Sequence, residues 1–149
     1  MNENKLRNKY IHPVPAYPYI ILFDGVCNLC NGAVRFIIQK DKTALFRFAA
    51  IQSETGQLLV KRYAIEKEEE KDMSSIYYIR KNECFRKSTA ILHILKDMGK
   101  GWKFLFPLIH IPVTIRDSLY LWVSRNRYKL FGKKQACMVP TPDIRSRFL

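Results

Sequence analysis

Acidic residues are scarce in this chain. Thirteen Asp and Glu face 26 Lys and Arg in 149 residues, a formal net charge of +13. The shortage is uneven. Residues 100–149 hold ten Lys/Arg and two Asp/Glu, whereas residues 1–99 hold sixteen and eleven. The basic character therefore belongs mainly to the C-terminal third, and long-range attraction favours anionic over cationic contacts there. Long apolar runs are missing too. The nearest, Trp102–Ile115, is interrupted by Lys103, Pro107, His110 and Pro112. A membrane helix needs roughly 18–20 apolar residues, so no transmembrane segment is expected. Residues 1–18 carry Lys5, Arg7, Lys9 and three prolines but no apolar stretch of a secretory signal. The expectation is a cytoplasmic protein, in a compartment that keeps thiols reduced. The six glycines are isolated, which argues against a phosphate-cradling loop. His12, His93 and His110 are scattered, and none stands at motif spacing to an acid, which argues against a protease-like dyad. Four cysteines without a secretory signal are poor material for a structural disulfide framework and better material for redox chemistry or metal binding.

What is present suits one domain: 48% hydrophobic and 26% charged residues over a length able to bury a core. Residues 1–18 read as a proline-punctuated arm, 19–99 as a core, and 100–149 as a basic helical extension packed on it. Tyr19–Phe23 is a short continuous apolar run, as expected of a strand buried on both faces. Leu29, Ala33, Phe36 and Ile37 mark a helical face ending near Lys40. Leu45–Ala49 alternates, with Phe46 and Phe48 on one side, and predicts a second strand. A helix is expected from Ser53 towards Ala64, and Glu66–Asp72 is a charge run read as a solvated connection. Ser75–Ile79 predicts a third strand, Lys81-Asn82 a turn and Glu83–Arg86 a fourth strand in a hairpin. Ser88 is the expected N-cap of a helix stopped at Gly99. Further helical segments are expected around Trp102–Ile109 and from Thr114, whose spacing to Asp117 resembles a capping box, to Gly132. The tail from Lys133 reads as loop.

The chemistry concentrates in Asp24-Gly25-Val26-Cys27-Asn28-Leu29-Cys30. This C-x-x-C follows a buried strand and opens a helix. A cysteine there meets unpaired backbone N–H groups and the positive end of the helix dipole, both of which stabilise thiolate. Two intervening residues bring both sulfurs to one place. The expected division of labour is an exposed nucleophile, Cys27, and a more buried resolving thiol, Cys30. Asp24, at the strand end, has two readings. It tunes the pair as a neighbouring carboxylate, opposing thiolate and handling a proton, or it is a turn-forming Asp-Gly that caps backbone amides.

Phe23-Asp24-Gly25-Val26-Cys27-Asn28-Leu29-Cys30-Asn31 resembles the signature of the DCC family of thiol-disulfide oxidoreductases, named for its Asp, Cys, Cys pattern. Phe48-Ala49-Ala50-Ile51-Gln52-Ser53, Ser88-Thr89-Ala90, Asn126-Arg127-Tyr128, Phe131-Gly132 and Cys137 extend the resemblance over roughly Tyr19 to Cys137. It implies an α/β, thioredoxin-like fold, βαβ then ββα around a central sheet, with additional C-terminal helices and disulfide reductase activity. Two departures from thioredoxins stand out. Asn28-Leu29 separates the cysteines, and no proline precedes the third strand, where Ser74 and Ser75 stand. No cofactor is expected, because the cysteines carry the electrons. The expected partners are a disulfide-containing protein or small-molecule thiol substrate and a thiol electron donor.

Other residues have blander readings. Cys84 is expected to be a small buried hydrophobe and Cys137 a spectator, against a four-thiolate zinc site built from all four cysteines. Arg35 reads as a solvated helix charge. The mixed aromatic and basic stretch with Trp102, Phe104, Phe106, Trp122, Arg116, Arg125, Arg127, Lys129, Lys133 and Lys134 has three readings: nucleic-acid binding, contact with an anionic surface, or aromatics packed inward with charges in water. The last is the expectation, with nucleic acid not expected as a partner. The alternative to an enzyme is a basic binding module whose C-x-x-C is structural or holds zinc.

Overall fold

The computed structural model describes residues 17–65, 76–133 and 139–149. The arm up to residue 16, the Glu66–Asp72 charge run, Ser74, Ser75, Lys134 and Cys137 lie outside the described residues.

The centre of the fold is β1 (Tyr19–Phe23), flanked by β2 (Arg47–Ala50) and β3 (Tyr77–Arg80), with β4 (Glu83–Arg86) beyond β3. β1 and β2 run parallel, joined through helix α1 (Asn28–Lys40); β3 and β4 are antiparallel neighbours in a hairpin. The period of two along β1 separates its side chains. Ile21 and Phe23 face one layer with Val34 and Ile37 of α1 and Ala90 and Ile94 of α3 (Lys87–Met98). Ile20 and Leu22 face the other layer with Leu59 and Val60 of α2 (Glu54–Arg62). Burying such side chains contributes about 1.5–3 kcal/mol each. A mixed four-stranded sheet with helices on both faces, built as βαβ and then ββα, is the expected thioredoxin-like arrangement.

Local signals account for many of the ends. Ser53 caps α2 by accepting the Gly56 N–H at 3.0 Å. Gly56 is required at that point, because a Cβ there would lie 1.9 Å from the Ala50 carbonyl oxygen. Lys81 and Asn82 both take positive φ, as a two-residue hairpin turn of this kind demands. Gly99 and Gly132 terminate α3 and α4 (Val113–Phe131).

Tertiary contacts override other expectations. β2 starts at Arg47 instead of Leu45, because the Phe46 N–H goes to the Asp41 carboxylate at 3.0 Å and leaves the ladder. β3 starts at Tyr77, since the Ile76 N–H is taken by the Tyr120 hydroxyl at 2.9 Å. Ser88 does not cap α3; that helix begins at Lys87 with no side-chain cap bond, and the Ser88 hydroxyl instead donates to Asp117 of α4. The same bond consumes the acid of the expected Thr114–Asp117 capping box, so α4 starts after Pro112 without one. The segment around Trp102–Ile109 forms a 3₁₀ helix, Lys100–His110, carrying Pro107 inside. The tail is not merely loop. Leu149 N–H donates to the Phe48 carbonyl at 2.8 Å, and Phe148 packs against Phe23 and Phe48, covering the edge of β2.

Candidate active site

β1 delivers Asp24 to the sheet's C-terminal edge, and the chain then turns into α1. Cys27 N–H reaches back to the Asp24 carbonyl at 3.3 Å, and Asn31 Nδ2 donates to the Gly25 carbonyl at 3.0 Å. Cys27 is the N-cap residue of α1 in extended conformation, and its Sγ accepts the Cys30 backbone N–H at 3.3 Å. That is the bond a helix N-terminus offers an anion, here directed at sulfur. Cys27 and Cys30 are not joined by a disulfide. The Cys30 thiol is pushed up to about 12, first by burial, then by its hydrogen bond to Cys27 and by negative charge there. Arg127 opposes this shift and Asp24 adds a little to it.

The burial of the two cysteine residues is the reverse of the expected order. Cys27 is 0% exposed, and Cys30 is the half-buried one. The cause lies at the far end of α4. Lys133 pairs with Cys27 in an isolated antiparallel bridge. Asn28 holds the same strap, donating its N–H to the Gly132 carbonyl at 3.4 Å and its Nδ2 to the Phe131 carbonyl at 2.8 Å. Gly132 takes φ +82 there, a conformation that favours glycine.

Asp24 is 4% exposed and saturated with donors. Its Oδ1 accepts Val26 N–H at 3.1 Å and Gln52 Nε2 at 2.7 Å. Its Oδ2 accepts Arg127 Nη2 at 2.9 Å and the Tyr128 hydroxyl. The turn-capping reading of Asp24 is therefore realised through Val26, while Arg127 offsets the carboxylate's charge beside the sulfurs. Gln52 doubles the clamp by accepting the Gly25 N–H at 3.0 Å. Tyr128 is pushed up to about 12, by burial first and then by its bond to Asp24. Burial works against the Arg127 charge, but Cys30, Tyr128, Asp24 and Cys27 outweigh it and raise its pKa.

No local sequence pattern marks Arg127, Tyr128, Gln52, Asn31 or the Gly132-Lys133 strap as site residues. Arg127, expected among the charges facing water, is 3% exposed. The signal that marks them is the family resemblance, whose segments contain all of them except Lys133. A cleft of about 490 Å³ opens beside this cluster, lined by Val26, Gln52, Gln57, Arg125, Tyr128 and Lys133 among others.

The remaining candidates fall elsewhere. Cys84 is half-buried and packs on the sheet layer opposite Cys30, so a site drawing on both is not assembled. Among the described residues no three His, Cys, Asp or Glu gather into a metal-binding group. His93 is packed, stacked on Phe85 at 4.0 Å with Phe106 at its edge, and burial lowers its pKa. Arg35 is exposed. Trp102 and Phe106 pack inward, against Phe36 and His93, but Phe104 and Trp122 do not, contrary to the expectation for the aromatic stretch. Among the described residues no helix is long and apolar enough to cross a membrane.

A thioredoxin-like sheet with a C-x-x-C at the N-terminus of its first helix defines a thiol-disulfide oxidoreductase scaffold. The chain belongs to the DCC1-like thiol-disulfide oxidoreductase family, whose model matches residues 21–133. It is 42% identical over 130 residues to the uncharacterized protein YuxK of Bacillus subtilis (strain 168), covering 87% of this chain and 93% of that protein. It is 40% identical over 119 residues to a chloroplastic DCC family protein of Arabidopsis thaliana, covering 79% of this chain and 67% of that protein. No solved structure matches.

Proposed function

We propose that the protein is a disulfide reductase that works by dithiol–disulfide exchange at Cys27 and Cys30. The observation that carries the reading is the Cys27 sulfur at the N-cap of α1, accepting the Cys30 N–H, next to a Cys30 thiol whose pKa is pushed up to about 12. The helix-terminal N–H directed at the Cys27 sulfur supports its role as the attacking group, and the raised Cys30 pKa supports that residue's role as the resolving thiol. In the forward direction the Cys27 thiolate attacks one sulfur of a substrate disulfide. A mixed disulfide forms, and the other substrate sulfur leaves as thiolate and takes a proton. Cys30 then loses its proton and attacks the Cys27 sulfur, forming the Cys27–Cys30 disulfide and releasing the second substrate thiol. Two electrons have passed from enzyme to substrate, and a thiol donor restores the dithiol. No bound cofactor is required. Asp24 assists proton movement at Cys30, with Arg127 and Tyr128 setting its charge and position. Reduction is the working direction in a thiol-reducing compartment such as the cytoplasm. The substrate is a disulfide-containing protein or a small disulfide, entering by the cleft beside Val26 and Gln52, and attack requires the Gly132-Lys133 strap to part from Asn28.

The test is a redox titration in graded glutathione buffers, quenched by alkylation and read by peptide mass spectrometry. A reversible Cys27–Cys30 disulfide with a midpoint between about −120 and −270 mV is expected. Thiols that never pair, or that resist alkylation until a chelator is added, would overturn the reading and leave a structural or zinc-holding C-x-x-C in a basic binding module.

A further inference from the structure

The added C-terminal helices present a surface that the thiol site does not use. In the 3₁₀ helix Trp102 and Phe106 turn inward, to Phe36 of α1 and His93 of α3. Leu105, Leu108 and Ile111 recur every three residues, the period of such a helix, and all are exposed. Phe104 beside them is 75% exposed. Two residues after Ile111 the chain enters α4, where Ile115, Leu119 and Trp122 follow at spacings of four and three and so share one face. They are 63%, 67% and 60% exposed. Single exposed apolar residues are ordinary, but a run of this kind marks an interaction site.

The charge around the run is of one sign. From Met98 through Lys133 the sequence holds seven Lys/Arg, of which Arg127 is buried against Asp24, and one Asp/Glu. The single acid, Asp117, is half-buried and bonded to Ser88. Lys100, Lys103, Arg125 and Lys129 are exposed. We propose that the Phe104–Ile111 segment and the Ile115–Leu119–Trp122 stripe together form a peripheral docking surface for an anionic lipid bilayer. Leu105, Leu108, Ile111, Ile115 and Leu119 fit an acyl boundary, and Phe104 and Trp122 alone among the named residues of the face would offer a nucleic-acid base a ring to stack on. A second copy of the chain would bring two basic surfaces together. Tryptophan suits the headgroup boundary, and long Lys and Arg side chains reach from an apolar seat to lipid phosphates.

The measurement is co-sedimentation of the full chain with vesicles at near-physiological salt. One set is phosphatidylcholine alone, and the other contains about one third phosphatidylglycerol. Binding to the anionic vesicles is expected, weakening about tenfold without the anionic lipid or at several times the salt. The double variant Leu119→Glu, Trp122→Glu should lose about tenfold or more of that binding while keeping the circular dichroism spectrum and the Cys27–Cys30 redox titration. Lys103→Glu with Lys129→Glu, which leaves the apolar stripe whole, should also weaken it. Failure to sediment with anionic vesicles, or sedimentation indifferent to both variants, overturns the proposal. So does a dimer seen by light scattering, or a salt-sensitive nucleic-acid shift, that either variant abolishes while no vesicle binding is found.

Discussion

Replacing Arg127 by Met tests whether α4 is electrically part of the thiol site. Arg127 and Asp24 are side chains only 4% and 5% exposed, 2.9 Å apart. Met fills a similar volume but leaves the carboxylate without its cation in a dry place. Removing one member of a buried pair costs about 3–5 kcal/mol, against about 0–1 kcal/mol for a surface pair. The upper half of the range is not expected, because Val26 N–H, Gln52 and Tyr128 still donate to Asp24. A loss near 3 kcal/mol is therefore expected by urea denaturation, from the midpoint at constant slope. Asp24→Asn alone should also destabilise, by leaving Arg127 buried without its counter-charge. The double variant Asp24→Asn, Arg127→Met should cost clearly less than the two single losses added together, since neither charge is then stranded. A loss below about 1 kcal/mol for Arg127→Met, or additive losses in the double variant, would refute the argument that this pair locks α4 to the site.

Three further outcomes follow from the same geometry. In Cys27→Ala burial still raises the Cys30 pKa, but the hydrogen-bond partner and the negative charge at position 27 are gone, so the value should fall from about 12; a Cys30 alkylation rate with an unaltered pH profile would count against the coupling. Asn28→Ala removes the 2.8 Å bond to the Phe131 carbonyl that holds the strap over Cys27, and iodoacetamide should then reach Cys27 several-fold faster with little change in stability; an unchanged rate would mean the strap is not what shields it. The Tyr78 pKa is raised, by burial first and then by its bond to Asp97. The folded state therefore holds this proton more tightly than the unfolded state, whose tyrosines titrate at about 10. Its stabilisation is full below that pH and declines as pH rises above it. Tyr78→Phe should flatten the alkaline part of the stability profile measured by urea denaturation, and an equally steep decline in the variant would refute this.

The resemblance led to the family and to the place of the thiol pair, and simple patterns led to much of the scaffold. Tyr19–Phe23 announces a doubly buried strand because its apolar residues are continuous, and Lys81-Asn82 announces a hairpin because both residues tolerate positive φ. Gly99 and Gly132 announce helix ends for the same stereochemical reason. The position of Cys27 at a helix N-terminus is likewise legible, since strand, turn and helix start are all local.

What stayed hidden depends on segments far apart in the chain. Arg127 and Tyr128 meet Asp24 across 103 and 104 residues, and periodicity in α4 gives no sign that one of its several basic residues is the buried one. Ser88 and Asp117 each look like a local cap, but they bond to each other across 29 residues once α3 and α4 pack. Helical spacing identifies which of Trp102, Phe104, Phe106 and Trp122 share a face; only packing decides which face is covered. The same holds for the sulfurs. A helix start exposes Cys27 by local geometry, and the return of Gly132-Lys133 to Asn28 buries it, because where a chain end docks is settled by long-range contacts that no local pattern encodes.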